Sequence, residues 1–73
     1  MEQNIKDLSL LAGANLKRLI KNSEYKTHEE FGYEFGADVR PVGRWVNKGI
    51  KNLDTIQQIA DFFGIDALAF FSV

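Results

Sequence analysis

Cysteine is absent from this 73-residue chain. No disulfide can form, and no thiolate is available to hold a metal or attack a substrate. Histidine occurs once, at His28, and one histidine without cysteine builds no metal site. No apolar run approaches the roughly 18 residues that span a bilayer, so no membrane association is expected. The N-terminus lacks the basic-then-apolar pattern of a signal peptide, and a soluble cytoplasmic protein is the expectation. There are no repeats, no low-complexity tract and no Pro/Gly/Ser linker. The length allows one small domain, without a separate sensing or catalytic unit. Neither a cofactor nor a small-molecule ligand is therefore expected. With one histidine, no cysteine and no carboxylates that the sequence clusters in a plausible cleft, no catalytic constellation can be assigned, and the chain is not expected to be an enzyme.

What is present is a hydrophobic fraction of 45%, dominated by Leu, Ile and Phe, which suffices for one core of packed helices. Net charge is −1, whereas nucleic-acid-binding domains are usually basic. The distribution is more informative than the total. Every Lys and Arg lies between Lys6 and Lys51, while residues 52–73 carry Asp54, Asp61 and Asp66 and no base. The stretch Asp38–Lys51 holds Arg40, Arg44, Lys48 and Lys51 against one acid. Folding can gather these charges on one face, or leave them as solvated helix surfaces.

Apolar periodicity divides the chain into helices. Residues 1–8 are mostly polar and read as a poorly ordered arm; residues 9–73 form the domain. Leu11, Ala12, Leu16, Leu19 and Ile20 predict a helix from Ser9 or Leu10 to Lys21, in which Gly13 is a weak point worth up to about 1 kcal/mol relative to Ala. Thr27 followed by Glu30 forms a capping-box pattern, and Phe31 and Phe35 share one face before Gly36 stops the helix. Val42, Trp45 and Val46 mark a third helix over about 39–48, capped by Asp38. Pro41 disfavours helical geometry at Arg40 and moves the expected start towards Arg40 or Pro41. Asn52 caps a fourth helix whose stripe is Leu53, Ile56, Ile59, Ala60 and Phe63, ended by Gly64. A last short helix starts at Asp66, with Ile65 and Phe70 placed for a hydrophobic staple.

The stretch from His28 to Asn47 is the most specific. Two helices joined by a turn of three or four residues cross closely, at roughly 90–120°. Gly32 falls where the backbones approach, Gly36 supplies the positive φ of the turn, and Phe31, Phe35, Val42 and Trp45 fill the wedge. This spacing resembles the helix-turn-helix of phage Cro and repressor proteins and the bacterial regulators built like them. The likeness covers about residues 10–71 and is carried by "NLKRLIK", "THEEFGYEFGAD", "GRWVN", "NLDTIQQIADFFGI" and the closing "ALAFF". It implies an all-α, compact five-helix bundle of the phage repressor DNA-binding type with a central helix-turn-helix. It implies a small transcriptional regulator, most simply a repressor, whose partner is double-stranded DNA at a palindromic operator.

By that resemblance the third helix is the recognition helix. Val39, Arg40, Gly43 and Arg44 match base-reading positions, and His28, Asn47 and Lys48 match phosphate-contacting ones. Arg suits guanine, whose O6 and N7 accept its two parallel donors. The family commonly pairs an Arg of the first helix with a Glu late in the recognition helix. Here the matching residues are Ile20 and Val46, so both are expected to be buried and near each other. One module covers a half-site, which implies a homodimer on DNA; in "LAFFSV", Phe70 is expected in the core and Phe71 and Val73 at the dimer contact.

Other readings stand beside these. Arg44 can be a solvated residue, Arg40 can pair with Asp38, and His28 can be an ordinary first-turn residue. Trp45 is expected in the core rather than as a stacking platform. The loop after the third helix lacks the family's proline, and Gly43 sits inside a helix. A helix-turn-helix can also serve as a protein-interaction surface, as in an antirepressor or antitoxin-like partner, and the acidic balance keeps that alternative open.

Overall fold

The computed structural model describes residues 5–72, and for Ile5 and Lys6 the backbone alone. Four α-helices follow one another: α1 (Ile5–Asn22), α2 (His28–Phe35), α3 (Val39–Lys48) and α4 (Leu53–Phe63). A 3-10 helix, Ala67–Phe71, closes the described chain. The architecture is all-helical, and no strand occurs among the described residues. No described helix is long and apolar enough to cross a membrane.

The fifth element corrects the expectation of a fifth α-helix. The stretch between the Asp66 cap and Ser72 is too short for an i→i−4 ladder. It closes instead with tighter bonds, Ala69 N–H to the Asp66 carbonyl at 2.9 Å and Ser72 N–H to the Ala69 carbonyl at 3.3 Å. A second correction concerns the start of α1. The helix begins at Ile5, so residues 5–8, assigned to an arm, are helical; residues 1–4 lie outside the described residues. Ser9 therefore lies inside the helix rather than at its start. It sits on the inner face of α1, 3% exposed, and its carbonyl accepts the Ile50 N–H at 3.0 Å.

The other boundaries follow their local chemistry. Thr27 Oγ1 accepts the Glu30 N–H at 3.1 Å. The reciprocal half of the capping box is absent, because the Thr27 N–H already donates to the Tyr25 carbonyl at 2.8 Å. Gly36 takes φ +94° and its N–H returns to the Gly32 carbonyl. Helix α3 starts at Val39, ahead of the expected Arg40 or Pro41. Asp38 Oδ1 accepts the Val39 N–H at 2.8 Å, and the amide that Pro41 lacks falls in the first turn, where no intrahelical partner is needed. Asn52 and Asp66 cap the next two elements through Asp54 N–H and Leu68 N–H.

The core is built from Ala12, Leu16 and Ile20 of α1, Phe31 of α2, Val42 of α3, Ile50, Ile56, Ile59 and Ala60 around α4, and Phe70. Helix α1 packs on α3 and on the 3-10 helix, α2 on α3, and α4 on the 3-10 helix. Aromatic rings fill the space between α2 and α4. Phe31 stacks on Phe63 with centroids 5.5 Å apart and planes at 3°, and Phe35 meets both Phe62 and the Trp45 indole edge-on. Ile20 is fully buried, while Val46 is only half-buried against the same core. Leu53, expected in the α4 stripe, is 73% exposed; the stripe begins one turn later, at Ile56.

Two close approaches fix how the helices pack. A Cβ on Gly32 would lie 2.8 Å from the Ala37 carbonyl oxygen, so the turn between α2 and α3 folds directly over this glycine, as the sequence spacing predicts. At Gly13 the approach is tighter: α1 lies against the backbone at the end of α3, and a Cβ there would stand 2.2 Å from the Trp45 carbonyl oxygen. Two residues along from that crossing, buried Asn15 ties α1 to the chain's end. Its amide donates to the carbonyls of Phe70, at 2.6 Å, and Ser72, at 3.0 Å, and its own oxygen accepts from Arg18.

Candidate nucleic-acid interface

Helix α3 is strongly two-sided. Val42 is fully buried, and Trp45 and Val46 pack against the core. Their positions leave two adjacent rows facing out, each with one residue per turn. One row is Arg40, Arg44 and Lys48, all exposed. The other is Val39, Gly43 and Asn47, of which Gly43 is half-buried and the flanking two are exposed. Six of the seven residues expected to contact DNA thus share one helix face. The seventh, His28, is on α2 as its first residue and is half-buried.

Arg44 and Lys48 also line a groove of about 310 Å³ with Trp45, Gly49, Ile50, Lys51 and Asn52. Three basic residues thus line one groove where α3 ends and α4 begins, with Trp45 among its other lining residues. Lys51 was not among the expected contact residues. Its signal was its membership of the basic stretch Asp38–Lys51; its placement depends on the extended turn at Gly49, φ +99°, which folds the chain back beneath α1.

Arg40 is engaged within the chain. A guanidinium nitrogen lies 3.6 Å from Asp38 Oδ2, with the two side chains 85% and 62% exposed. Such an exposed pair is worth about 0–1 kcal/mol and opens readily to a competing anion. The carboxylate that caps α3 is therefore also the local counter-charge of the first base-reading candidate.

A second concavity, of about 300 Å³, lies on the outer side of α2 and has the opposite character. Tyr25, Glu29, Glu30, Tyr33 and Glu34 line it. Burial, reinforced by the carboxylates of Glu24 and Glu34, pushes the Tyr25 phenol above the ordinary tyrosine value. Glu29 and Glu30 are already favourable where they stand, since carboxylates in a first turn oppose the helix dipole. The fold thus presents a basic face on α3 and an acidic one on α2, the latter formed by glutamates that lie within the base-bearing part of the sequence.

The chain matches no protein-family model, and no curated protein and no solved structure is significantly similar to it.

Proposed function

We propose that this protein is a sequence-specific double-stranded DNA-binding regulator of the Cro and repressor type, acting as a repressor, in which α2, the turn Gly36–Asp38 and α3 work as a helix-turn-helix. The observation that carries this reading is the outward row Arg40, Arg44 and Lys48 on a helix whose opposite side is locked into the core by Val42, Trp45 and Val46. A helix held in this way presents fixed donors at one-turn intervals, the spacing a major groove accepts. Arg40 and Arg44 read bases beside Val39 and Gly43. Lys48 and Asn47, at the helix end, hold phosphates, together with His28 on the other side of the motif. Lys51 joins Lys48 in that grip. The 73-residue chain covers a half-site, so a homodimer on a palindromic operator completes the reading. Phe71 is half-buried beside exposed Leu53 and is available for that contact; Val73 lies outside the described residues.

Selection of bound genomic fragments followed by footprinting tests the proposal. A protected region of two half-sites about one helical turn, roughly 34–36 Å, apart is expected. Affinity should fall linearly on a log–log plot against salt, by about 0.9 per phosphate neutralised.

The acidic α2 face favours a second reading, a protein-interaction module of the same fold. That module would give no retained fragment and no shift of any duplex even at low salt.

The Asp38–Arg40 pair yields a further expected result. Asn caps helices as well as Asp, so Asp38→Asn should keep the α3 cap and melt within a few degrees of the native chain. It removes an acid from the binding face and frees Arg40. DNA affinity should rise about 2–5-fold at low salt, the worth of one exposed ion pair, and the gain should fade as salt screens it. Anisotropy titrations at two ionic strengths measure it. Unchanged affinity at low salt would mean that Arg40 does not reach DNA.

A further inference from the structure

Gly43 has no counterpart among the other glycines. Those at 36, 49 and 64 adopt positive φ, and those at 13 and 32 sit within 3 Å of backbone atoms that a Cβ would strike. Gly43 lies inside α3 at ordinary helical φ, and beyond its chain neighbours and the backbone of its own helix no described atom stands within 4 Å of where its Cβ would be. Nothing inside the described chain requires glycine there. A glycine in a helix interior is nevertheless costly relative to alanine. Helix α3 already carries Pro41 in its first turn, so it has little intrinsic helicity to spare.

The place of the gap indicates its use. Gly43 is one turn after Val39 and one turn before Asn47, so the missing side chain leaves a notch floored by helix backbone between two exposed side chains. The Val39 isopropyl group, 41% exposed, forms an apolar wall at one end. Arg40 and Arg44 flank the notch in the adjacent row. A shallow apolar notch beside guanidinium groups matches one feature of the major groove: the C5-methyl of thymine, next to a pair presenting the acceptors of guanine.

We propose that Gly43 is a specificity-determining position, where the absent side chain and the Val39 wall receive the C5-methyl of a thymine adjacent to the base pair read by Arg44. This rests on the reading of α3 as the helix that enters the major groove.

Deoxyuridine, which pairs like thymidine but lacks that methyl, provides the test. A duplex is selected by the native protein from a randomised pool, and each thymine is replaced by deoxyuridine in turn. Binding of the native chain and of Gly43→Ala is measured on every duplex, with thermal melting of both proteins. At one thymine per half-site, loss of the methyl should weaken the native protein about four-fold, the worth of burying one methyl-sized group. Gly43→Ala should melt about 4–8 °C higher, bind the selected duplex about 10-fold or more weakly, and be indifferent to the same deoxyuridine. A lower melting temperature for Gly43→Ala would reveal an intramolecular need for the glycine and overturn the inference. So would equal deoxyuridine effects on the two proteins, or none on either; in both cases the DNA-binding reading stands. If the pool yields no retained duplex at any salt, the DNA-binding reading itself fails, and this inference with it.

Discussion

Gly13→Ala should destabilise the fold by about 3 kcal/mol or more, although it adds a single methyl group. The added Cβ would lie 2.2 Å from the Trp45 carbonyl oxygen, 3.2 Å from the Gly49 Cα and 3.3 Å from the Val46 carbonyl oxygen. All three are backbone atoms, so no side chain can rotate away to relieve the clash. Helix α1 must instead lift off α3, opening the interface that buries Ala12, Leu16 and Val42. Overpacking by one group usually costs about 1–3 kcal/mol; with no flexible neighbour the cost lies at or above the upper end. A domain of this length is stable by only about 4–11 kcal/mol. Loss of helical circular dichroism in urea, with Trp45 fluorescence as the reporter at the crossing, measures the change. Gly43→Ala is the internal control, because the same methyl group there meets nothing and should raise the midpoint. A Gly13→Ala midpoint close to the native one would mean that α1 and α3 do not cross at this glycine.

The contrast between these two glycines shows which features the sequence displays. Thr27, Asp38, Asn52 and Asp66 act on amides one to three residues away, so their capping roles are readable locally. Gly32 and Gly36 are equally legible, because the turn they serve joins neighbouring helices. Gly13 reads as a weak point in α1, since its partner, the Trp45 carbonyl, lies on a helix that composition cannot dock. Asn15 is concealed in the same way. It resembles a solvent residue beside Arg18, yet its amide bonds the Phe70 carbonyl, 55 positions away in sequence. Leu53 errs in the other direction: it continues the apolar pattern of α4 but occupies the first turn, where the helix has not yet reached the core.

The candidate interface divides along the same line. Which side of α3 faces out follows from Val42, Trp45 and Val46, a pattern complete within ten residues. Arg40, Arg44 and Lys48 are therefore assigned to one face by sequence alone. The convergence of Lys51 on that row requires the path of the chain through Gly49 and Ile50, which is set by Ser9 of α1. The acidic character of the α2 face is written in "HEEFGYE", but its separation from the basic row is a property of the folded chain.

Arg44→Ala and Lys48→Ala should weaken DNA binding in different ways. The two residues are four apart on one helix face and line the same groove, so their difference lies in position along the helix rather than in exposure. Arg44 stands in the middle of α3, with Trp45 beside it fixing the backbone against Phe35. Its planar guanidinium can place two parallel donors on a guanine edge, a geometry that lysine cannot copy. Lys48 is the last residue of α3, beside Lys51 and the turn into α4, where the groove wall and its phosphates would lie. Arg44→Ala is therefore expected to cost about 1–3 kcal/mol on the selected site and much less on a scrambled duplex. Lys48→Ala should weaken both duplexes by nearly the same factor and reduce the salt slope by about one unit. Arg44→Lys separates charge from geometry: it should restore binding to the scrambled duplex while leaving most of the loss on the selected site. Titrations of the three variants on both duplexes, across several salt concentrations, give all of these quantities together. Equal losses on both duplexes for Arg44→Ala would move Arg44 to the phosphate grip with Lys48. No loss for either variant on any duplex would place the binding surface away from α3 and turn attention to the acidic face of α2.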